Sequence, residues 1–166
     1  MTSDTEQHTS PGRTGDALPG DTGASDHLVV RPWWDTGLAL RGHDPRSAYV
    51  ERFWLGVVGP STVLLLRRFA RGLEEQPAGF RVSATDTARA LGLGTGTGRN
   101  GALHRTIDRA CTFGLARRVS DGELHVRTHL PQLNARQLAR LPAVVRRSHE
   151  RWVEQSGGGA PGPSPA

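Results

Sequence analysis

The sequence predicts a mainly α domain with one small β-hairpin. Between residues 44 and 113, several stretches place apolar side chains at the spacing of amphipathic helices. Two short strand-like runs follow, joined by Ser120-Asp121-Gly122, and Asp-Gly is a strong hairpin signal. Glycine and proline interrupt the chain between these segments, so we expect short helices connected by turns.

A short apolar patch, Leu28-Val29-Val30-Arg31-Pro32-Trp33-Trp34-Asp35, precedes the first predicted helix and holds two of the four tryptophans. We interpret residues 27–60 as an arm and a helix, with this patch packing onto the body of the domain. The alternative is a platform on which nucleic-acid bases stack. It is disfavoured because no pattern of basic residues is interleaved with the aromatic ones around it.

The first helix is predicted to begin at Asp44-Pro45, with Asp44 as the N-cap and Pro45 in the first helical position. Gly59-Pro60 ends it. Its apolar face comprises Tyr49, Phe53 and Val57 at a spacing of four, with Val50, Trp54 and Val58 beside them.

A second helix is predicted from Val63 to about Glu75, with Ser61 or Thr62 as its cap. Pro77 and Gly79 end it. Its core stripe comprises Val63, Leu66, Phe69, Ala70 and Leu73, and Arg67, Arg68 and Arg71 mostly occupy the other side.

The next segment is predicted to contain an edge strand at 80–83 and a short helix at 85–91, capped by Ser83 or Thr85. A glycine-rich turn then leads to a helix from Asn100 to Phe113. One face of that helix carries Leu103, Ile107, Ala110 and Cys111, while Arg105, Arg109 and Thr112 lie roughly opposite.

The chain is predicted to end its folded part with a hairpin and a last helical segment. The hairpin strands are 115–119 and 123–127. The last helix covers about Ala135 to Gln155 and contains Pro142, so it is either kinked or split there. Residues 1–26 and 156–166 hold too little apolar area to offset the entropy of ordering, which predicts disordered tails around one modest core.

Charge is distributed unevenly along the chain, and every basic residue other than histidine is an arginine. Residues 81–151 hold thirteen arginines and five acids, a net charge of +8, whereas the rest of the chain has a net charge of −3. The first 26 residues carry five acids and one arginine. Coding bias explains the absence of lysine, but it does not explain why the positive charge is concentrated in one half of the sequence.

The order helix, short strand, helix, turn, helix and Asp-Gly hairpin over residues 61–130 resembles the winged helix-turn-helix, a three-helix DNA-binding module with a β-hairpin wing. The segment 27–60 would be an N-terminal helical extension, and 131–155 a C-terminal helix. By this resemblance, Asn100 to Phe113 would be the recognition helix in the major groove, and Val119 to Glu123 the wing.

The arginine positions agree with this resemblance. Arg105 and Arg109 lie four residues apart, so both are expected to reach one groove. A solvated face without a ligand is the alternative, and Asp108 is placed to pair with Arg105. The full set of predicted DNA contacts is Arg99, Asn100, His104, Arg105, Arg109, Arg117, Arg118 and Arg127.

These features together predict a cytoplasmic DNA-binding protein, associated with the nucleoid, that acts as a transcriptional regulator on double-stranded DNA. The alternative is a protein-interaction adaptor on the same fold. The last helix would either form a homodimer seam or extend the DNA contact. The seam would use Leu138, Leu141, Val145 and Trp152, and the extended DNA contact would use Arg136, Arg140, Arg146, Arg147 and Arg151.

Other classes of function find little support in the sequence. The pattern Gly96-x-Gly98-x-x-Gly101 lacks the preceding strand that a dinucleotide site requires. His125 and His129 on one strand would lie about 13 Å apart, too far to share a metal ion. We therefore predict no enzyme, no cofactor and no metal site. One cysteine, Cys111, excludes an internal disulfide, and no apolar run is long enough to span a membrane.

The whole chain also resembles small actinobacterial proteins of unknown activity. The segments that carry this resemblance are Trp33-Trp34, Gly42-His43-Asp44-Pro45-Arg46-Ser47, Gly59-Pro60-Ser61 and Phe113-Gly114-Leu115. The resemblance implies an actinobacterial origin and no particular activity.

Overall fold

The computed structural model describes residues 26–94 and 101–157. These residues form a mixed α/β fold with a four-stranded sheet, in the order β2-β1-β4-β3. The strands are β1 (His27–Trp33), β2 (Phe80–Ser83), β3 (Ala116–Ser120) and β4 (Glu123–Arg127). Strand β1 runs antiparallel to β2 and parallel to β4, and β3 and β4 form the predicted antiparallel hairpin.

Strand β1 is central in the sheet, so the prediction of an arm for 28–35 was wrong, and the sheet is larger than one hairpin. Leu28 and Val30 are 7% and 0% exposed and point into the core. Val29, Arg31 and Trp33 lie on the opposite face of the sheet, because neighbouring side chains on a strand alternate. The segment predicted as an extension of the domain is therefore part of its sheet.

The segment after β1 differs from the sequence prediction. A short helix, α1 (Thr36–Arg41), follows Asp35, whose carboxylate accepts a hydrogen bond from Leu38 N at 3.2 Å. Asp44 does not cap a helix, since its carboxylate accepts from Arg46 N and binds the Arg46 guanidinium. A π-helical turn, Val50–Trp54, continues instead into α2 (Leu55–Val58).

Helix α3 (Pro60–Glu75) begins earlier than predicted. Pro60 occupies its first turn and Gly59, with φ of 82°, precedes it, so the predicted cap at Ser61 or Thr62 was wrong. Proline suits this place because the first helical N–H groups have no partner within the helix. The predicted stripe is confirmed, since Val63, Leu66, Phe69 and Leu73 are all buried.

The elements from β2 to α5 follow the prediction closely. Strand β2 lies at the edge of the sheet, and Ser83 caps α4 (Ala84–Ala90) by accepting from Asp86 N at 3.0 Å. Helix α5 (Ala102–Thr112) lies within the predicted range and buries Leu103, Ile107 and Ala110.

The C-terminal helix is split at Pro142 into α6 (Ala135–Leu138) and α7 (Ala143–Gly157). Leu141 is 3% exposed, and Leu138, Val145 and Trp152 pack against the chain's own core. The residues predicted to form a dimer seam are therefore used within the chain. Residues 156–157 belong to α7, whereas 1–25 and 158–166 of the predicted tails lie outside the described residues.

The core lies between the helices and one face of the sheet, with its largest side chains around Tyr49. The Tyr49 ring stacks on His43 at 3.6 Å between centroids and meets Phe53 edge to face. His149 on α7 is 4% exposed and hydrogen-bonds Tyr49 at 2.8 Å, which holds α7 to the core. Over 26–94 and 101–157, no helix has the length and apolar character needed to cross a bilayer.

Candidate nucleic-acid interface

The outward face of α5 presents Arg105, Asp108 and Thr112, opposite the buried Leu103, Ile107 and Ala110. All three outward residues are exposed. The side chain of Arg105 makes no hydrogen bond or ion pair with any residue that the structure describes, so its guanidinium is available to a ligand.

Asp108 does not pair with Arg105 as predicted. Its carboxylate instead accepts from Nη2 and Nε of Arg118 on β3, at 2.9 and 3.2 Å. This ion pair neutralises the acid on the outward face of α5 and ties the hairpin to the helix.

Arg109, unlike Arg105, has side-chain contacts within the described part of the chain. Its Nη2 donates to the carbonyl of Val57, near the end of α2, at 3.0 Å, and its guanidinium lies 5.8 Å from the centre of the Phe113 ring. The carbonyls at a helix C-terminus lack partners within the helix and attract a cation. Arg109 therefore has a partner within the chain, and its joint action with Arg105 stays a prediction.

The remaining residues predicted on this helix divide into two groups. His104 is half-buried, and its Nδ1 is fully shielded and has no hydrogen-bond partner among the described residues. This placement does not favour the predicted phosphate contact. Arg99 and Asn100 lie outside the described residues.

Arg127, predicted as a DNA contact on the hairpin, holds the fold together instead. Its side chain is 16% exposed and bonds the Asp35 carboxylate at 2.8 Å and the Gly114 carbonyl at 2.7 Å. The hydrogen bond from Arg127 lowers the pKa of Asp35. Arg127 thereby joins β4 to the start of α1 and to the turn after α5.

Arg117 is exposed on the edge strand β3 and belongs to a surface that the sequence prediction missed. Its guanidinium lies 4.7 Å from the centre of the Trp33 ring, and that of Arg127 lies 4.0 Å from the same centre. Arg117 also approaches Nδ1 of His125 at 3.4 Å. The only sequence signal for this surface was the pair Trp33-Trp34, which was interpreted as part of a packing arm.

We define the open sheet face as the side of the sheet that faces away from the helices. Strand register and alternation place its residues together: Val29, Arg31, Trp33, Arg81, Arg117, Glu123, His125 and Arg127. Glu123 is an acid within it, and its carboxylate bonds Nε of Arg31 at 3.0 Å and Nε2 of His125 at 2.9 Å. The hydrogen bond from His125, aided by the charge of Arg31, lowers the pKa of Glu123.

A pocket of about 230 Å³ lies on another side of the molecule. Its apolar lining includes Trp34, which is 66% exposed, together with Leu73. The Arg46 guanidinium in its wall is bound by both Asp44 and Glu74, so it is already neutralised and does not attract an anion.

Metal and nucleophile sites find no support in the described part of the chain. No group of three or more His, Cys, Asp or Glu residues within it is placed to hold a metal ion. Cys111 is partly buried, and burial raises the pKa of its thiol, which disfavours the reactive thiolate. The glycine pattern at 96–101 lies outside the described residues except for Gly101, the residue before α5.

Comparison with known proteins found no match: no family model matches the chain, and no curated protein or solved structure matches it.

Proposed function

We propose that this protein binds double-stranded DNA through the outward face of α5 and the β3–β4 hairpin. The element order α3–β2–α4–α5–β3–β4 is the order on which the resemblance to a winged helix-turn-helix rests. Strand β1 is not part of that order, and it lies between β2 and β4 in the sheet. In this proposal α5 is the recognition helix and the hairpin is the wing.

The exposed and unpaired Arg105 is the observation that carries the proposal. It lies on the same outward stripe of α5 as Asp108, and Arg118 neutralises that acid. Arg117 is exposed on the adjoining hairpin. A guanidinium presents a planar fork of donors that matches both a phosphate and the edge of a guanine.

The contact set is smaller than the sequence predicted. Arg105 and Arg117 have no acidic partner among the described residues, whereas Arg118 is paired with Asp108, and Arg109 and Arg127 have structural partners within the chain. Two of the five arginines predicted in the C-terminal segment also have local partners: Arg146 bonds the Leu141 carbonyl, and Arg140 lies over the Phe113 ring. The other three are exposed, and we place the DNA contact on α5 and the hairpin because the resemblance assigns the recognition helix and the wing to these elements.

Duplex binding and its salt dependence test the proposal. If Arg105 and Arg117 each neutralise one phosphate, the logarithm of the affinity falls with the logarithm of salt concentration with a slope of about −1.8. Affinity then decreases about 12-fold between 50 and 200 mM salt. Fluorescence anisotropy with a labelled 20-base-pair duplex measures both quantities.

Two matched variants assign the contact to α5. Arg105→Gln is expected to weaken duplex binding about five- to tenfold and to reduce the slope by about one unit. Arg71→Gln on α3 removes the same charge from an exposed position outside the proposed interface and should leave the slope unchanged. Equal effects of the two substitutions would show that only net charge matters and would overturn the proposed interface.

A role in transcriptional regulation further requires that the protein prefer particular sequences. Selection of bound duplexes from a random pool tests this, because enrichment of a motif is expected of a regulator. The rival function, a protein-interaction adaptor, predicts no duplex binding even at 50 mM salt.

A further inference from the structure

We propose that the open sheet face is a separate binding surface for single-stranded nucleic acid. The ligand differs from that of the duplex contact on α5, and the two surfaces share only Arg117, on the edge strand between them. Unpaired bases would stack beside Trp33 and Arg117, and the phosphates would bind Arg31 and Arg81.

The sheet register places the aromatic and basic side chains next to one another. Arg31, His125 and Arg117 form one row across β1, β4 and β3, and Trp33 and Arg127 form the next. Arg81 on β2 lies beside Val29, in the row on the other side of Arg31. The surface therefore joins residues 31–33, 81 and 117–127, which are far apart in the sequence.

Trp33 and the arginines around it offer planar surfaces. Guanidinium groups lie 4.7 Å (Arg117) and 4.0 Å (Arg127) from the centre of the indole ring. Arg127 is fixed by Asp35 and Gly114, whereas Arg117 is exposed and has no carboxylate partner among the described residues. Bases stack on aromatic rings and on arginine planes alike, which suits this arrangement to unpaired bases.

The charge of the open sheet face is positive. Its four arginines face two carboxylates, Glu123 on the surface and Asp35 at its end, a net charge of +2 with His125 neutral. Both carboxylates are engaged, Glu123 by Arg31 and His125 and Asp35 by Arg127. Arg81 is left for a phosphate and Arg117 for stacking, and Arg31, which also donates to the Ala78 carbonyl, remains 51% exposed beside Glu123.

A single strand fits this surface better than a duplex or an acidic peptide. A duplex presents only base edges in its grooves, so its base planes cannot reach Trp33. An acidic peptide would satisfy the arginines but has no obligatory planar groups for the indole and guanidinium planes. A single strand supplies both planar bases and phosphates.

Anisotropy of a labelled fifteen-nucleotide oligothymidine with the full chain tests the inference. We expect saturable binding with a logarithmic salt slope of about −1.4 to −2.8, which corresponds to two to four phosphates. The double substitution Arg31→Gln plus Arg81→Gln should reduce that slope by at least about one unit. Arg105→Gln should weaken duplex binding and leave oligothymidine binding unchanged.

Two substitutions of the tryptophan separate stacking from charge. Trp33→Leu removes the ring and should weaken binding at least about fivefold, whereas Trp33→Phe retains an aromatic plane and should lose less. If Trp33→Leu unfolds the protein, as judged by circular dichroism, Trp33→Phe still reports on stacking, and Arg117→Gln at an exposed position tests the charge of the surface.

Three results would overturn the inference. The first is no binding of oligothymidine at 50 mM salt. The second is binding that the substitutions at 31, 81 and 117 leave unchanged. The third is displacement by poly-glutamate as effective as by unlabelled oligothymidine at equal charge, which would identify a surface for acidic peptides. Since Arg105→Gln reports on the duplex separately, failure of this inference is distinguishable from failure of the proposed function.

Discussion

Protonation of His149 is expected to release α7 from the core, because burial disfavours the charged imidazole. The Tyr49 hydroxyl oxygen accepts from Leu133 N at 2.8 Å and lies 2.8 Å from His149 Nε2. In the neutral histidine with its hydrogen on Nδ1, the hydroxyl donates to Nε2. Burial lowers the pKa of His149, in agreement with this geometry.

The sign of the pH dependence follows from the lowered pKa. The unfolded chain binds a proton at His149 more readily than the folded chain does. The contribution of neutral His149 to the free energy of unfolding is therefore complete above pH 6.5, the ordinary pKa of a histidine. It is lost as the pH falls below 6.5 toward the lower pKa of the folded state. For one proton the limiting slope is about 1.4 kcal/mol per pH unit. His43, whose pKa burial also lowers, adds in the same direction.

Urea denaturation of the full chain at intervals between pH 7.5 and 5.0 measures this dependence. The carboxyl groups with lowered pKa values, such as Asp44, titrate below this window and do not contribute. His149→Leu should make the free energy of unfolding less dependent on pH, by up to about 1.4 kcal/mol per unit. His125→Asn removes a histidine from the open sheet face and serves as the control.

Tyr49→Phe gives the size of the hydrogen-bond contribution. The substitution leaves Leu133 N–H and His149 Nε2 without their partner in the buried core. Each buried polar group left unsatisfied costs about 1–3 kcal/mol, so the free energy of unfolding should fall by about 2–6 kcal/mol. A loss below about 0.5 kcal/mol, or a pH dependence that is the same in wild type and His149→Leu, would refute the reasoning.

Three further predictions concern other parts of the molecule. Arg127→Leu removes the hydrogen bond to Gly114 O and should lower the free energy of unfolding by about 1–3 kcal/mol in urea titrations. An unchanged free energy of unfolding would show that Arg127 does not stabilise the fold. Gly79→Ala should cost at least about 1–3 kcal/mol in the same assay, because φ is 113° and an added Cβ would meet Val30 O at 2.7 Å. Deletion of residues 1–25 removes four acids and one arginine and should tighten non-specific duplex binding in anisotropy, whereas unchanged affinity would exclude masking by this segment. The deletion stops before Asp26 because its carboxylate bonds Ser83 and Thr85.

The sequence predicted well those helices and strands that are determined by residues within or next to the element itself. Apolar spacing located α3 and α5, the Ser83 cap located α4, and Asp121-Gly122 located the hairpin. Strand β1 was missed because its partners, β2 and β4, are about 50 and 95 residues away in the sequence. Helix α1 was missed because it buries none of its residues and so has no apolar stripe to reveal it.

In the candidate site, too, the side-chain contacts that could not be predicted are those between residues far apart in the sequence. A helical wheel placed Arg105 and Arg109 outward but contained no information about the Val57 carbonyl that binds Arg109. A base-stacking platform at residues 28–35 was disfavoured because the sequence around it lacks interleaved basic residues, yet β3 and β4 bring Arg117 and Arg127 to the Trp33 ring. Neither contact has a signal in the neighbouring sequence, since each joins residues more than fifty positions apart.

Strand alternation gives the basic half of the chain two surfaces where the sequence had suggested one. Arg117 and Arg118 are neighbours on β3, so their side chains leave opposite faces of the sheet. Arg118 reaches Asp108 on α5, and Arg117 reaches Trp33 on the open sheet face. The edge strand β3 is therefore the border between the proposed duplex contact and the proposed single-strand surface. The arginines of 81–151 are therefore not gathered on one face, and the affinity of either proposed surface would be set by the few unpaired arginines it presents.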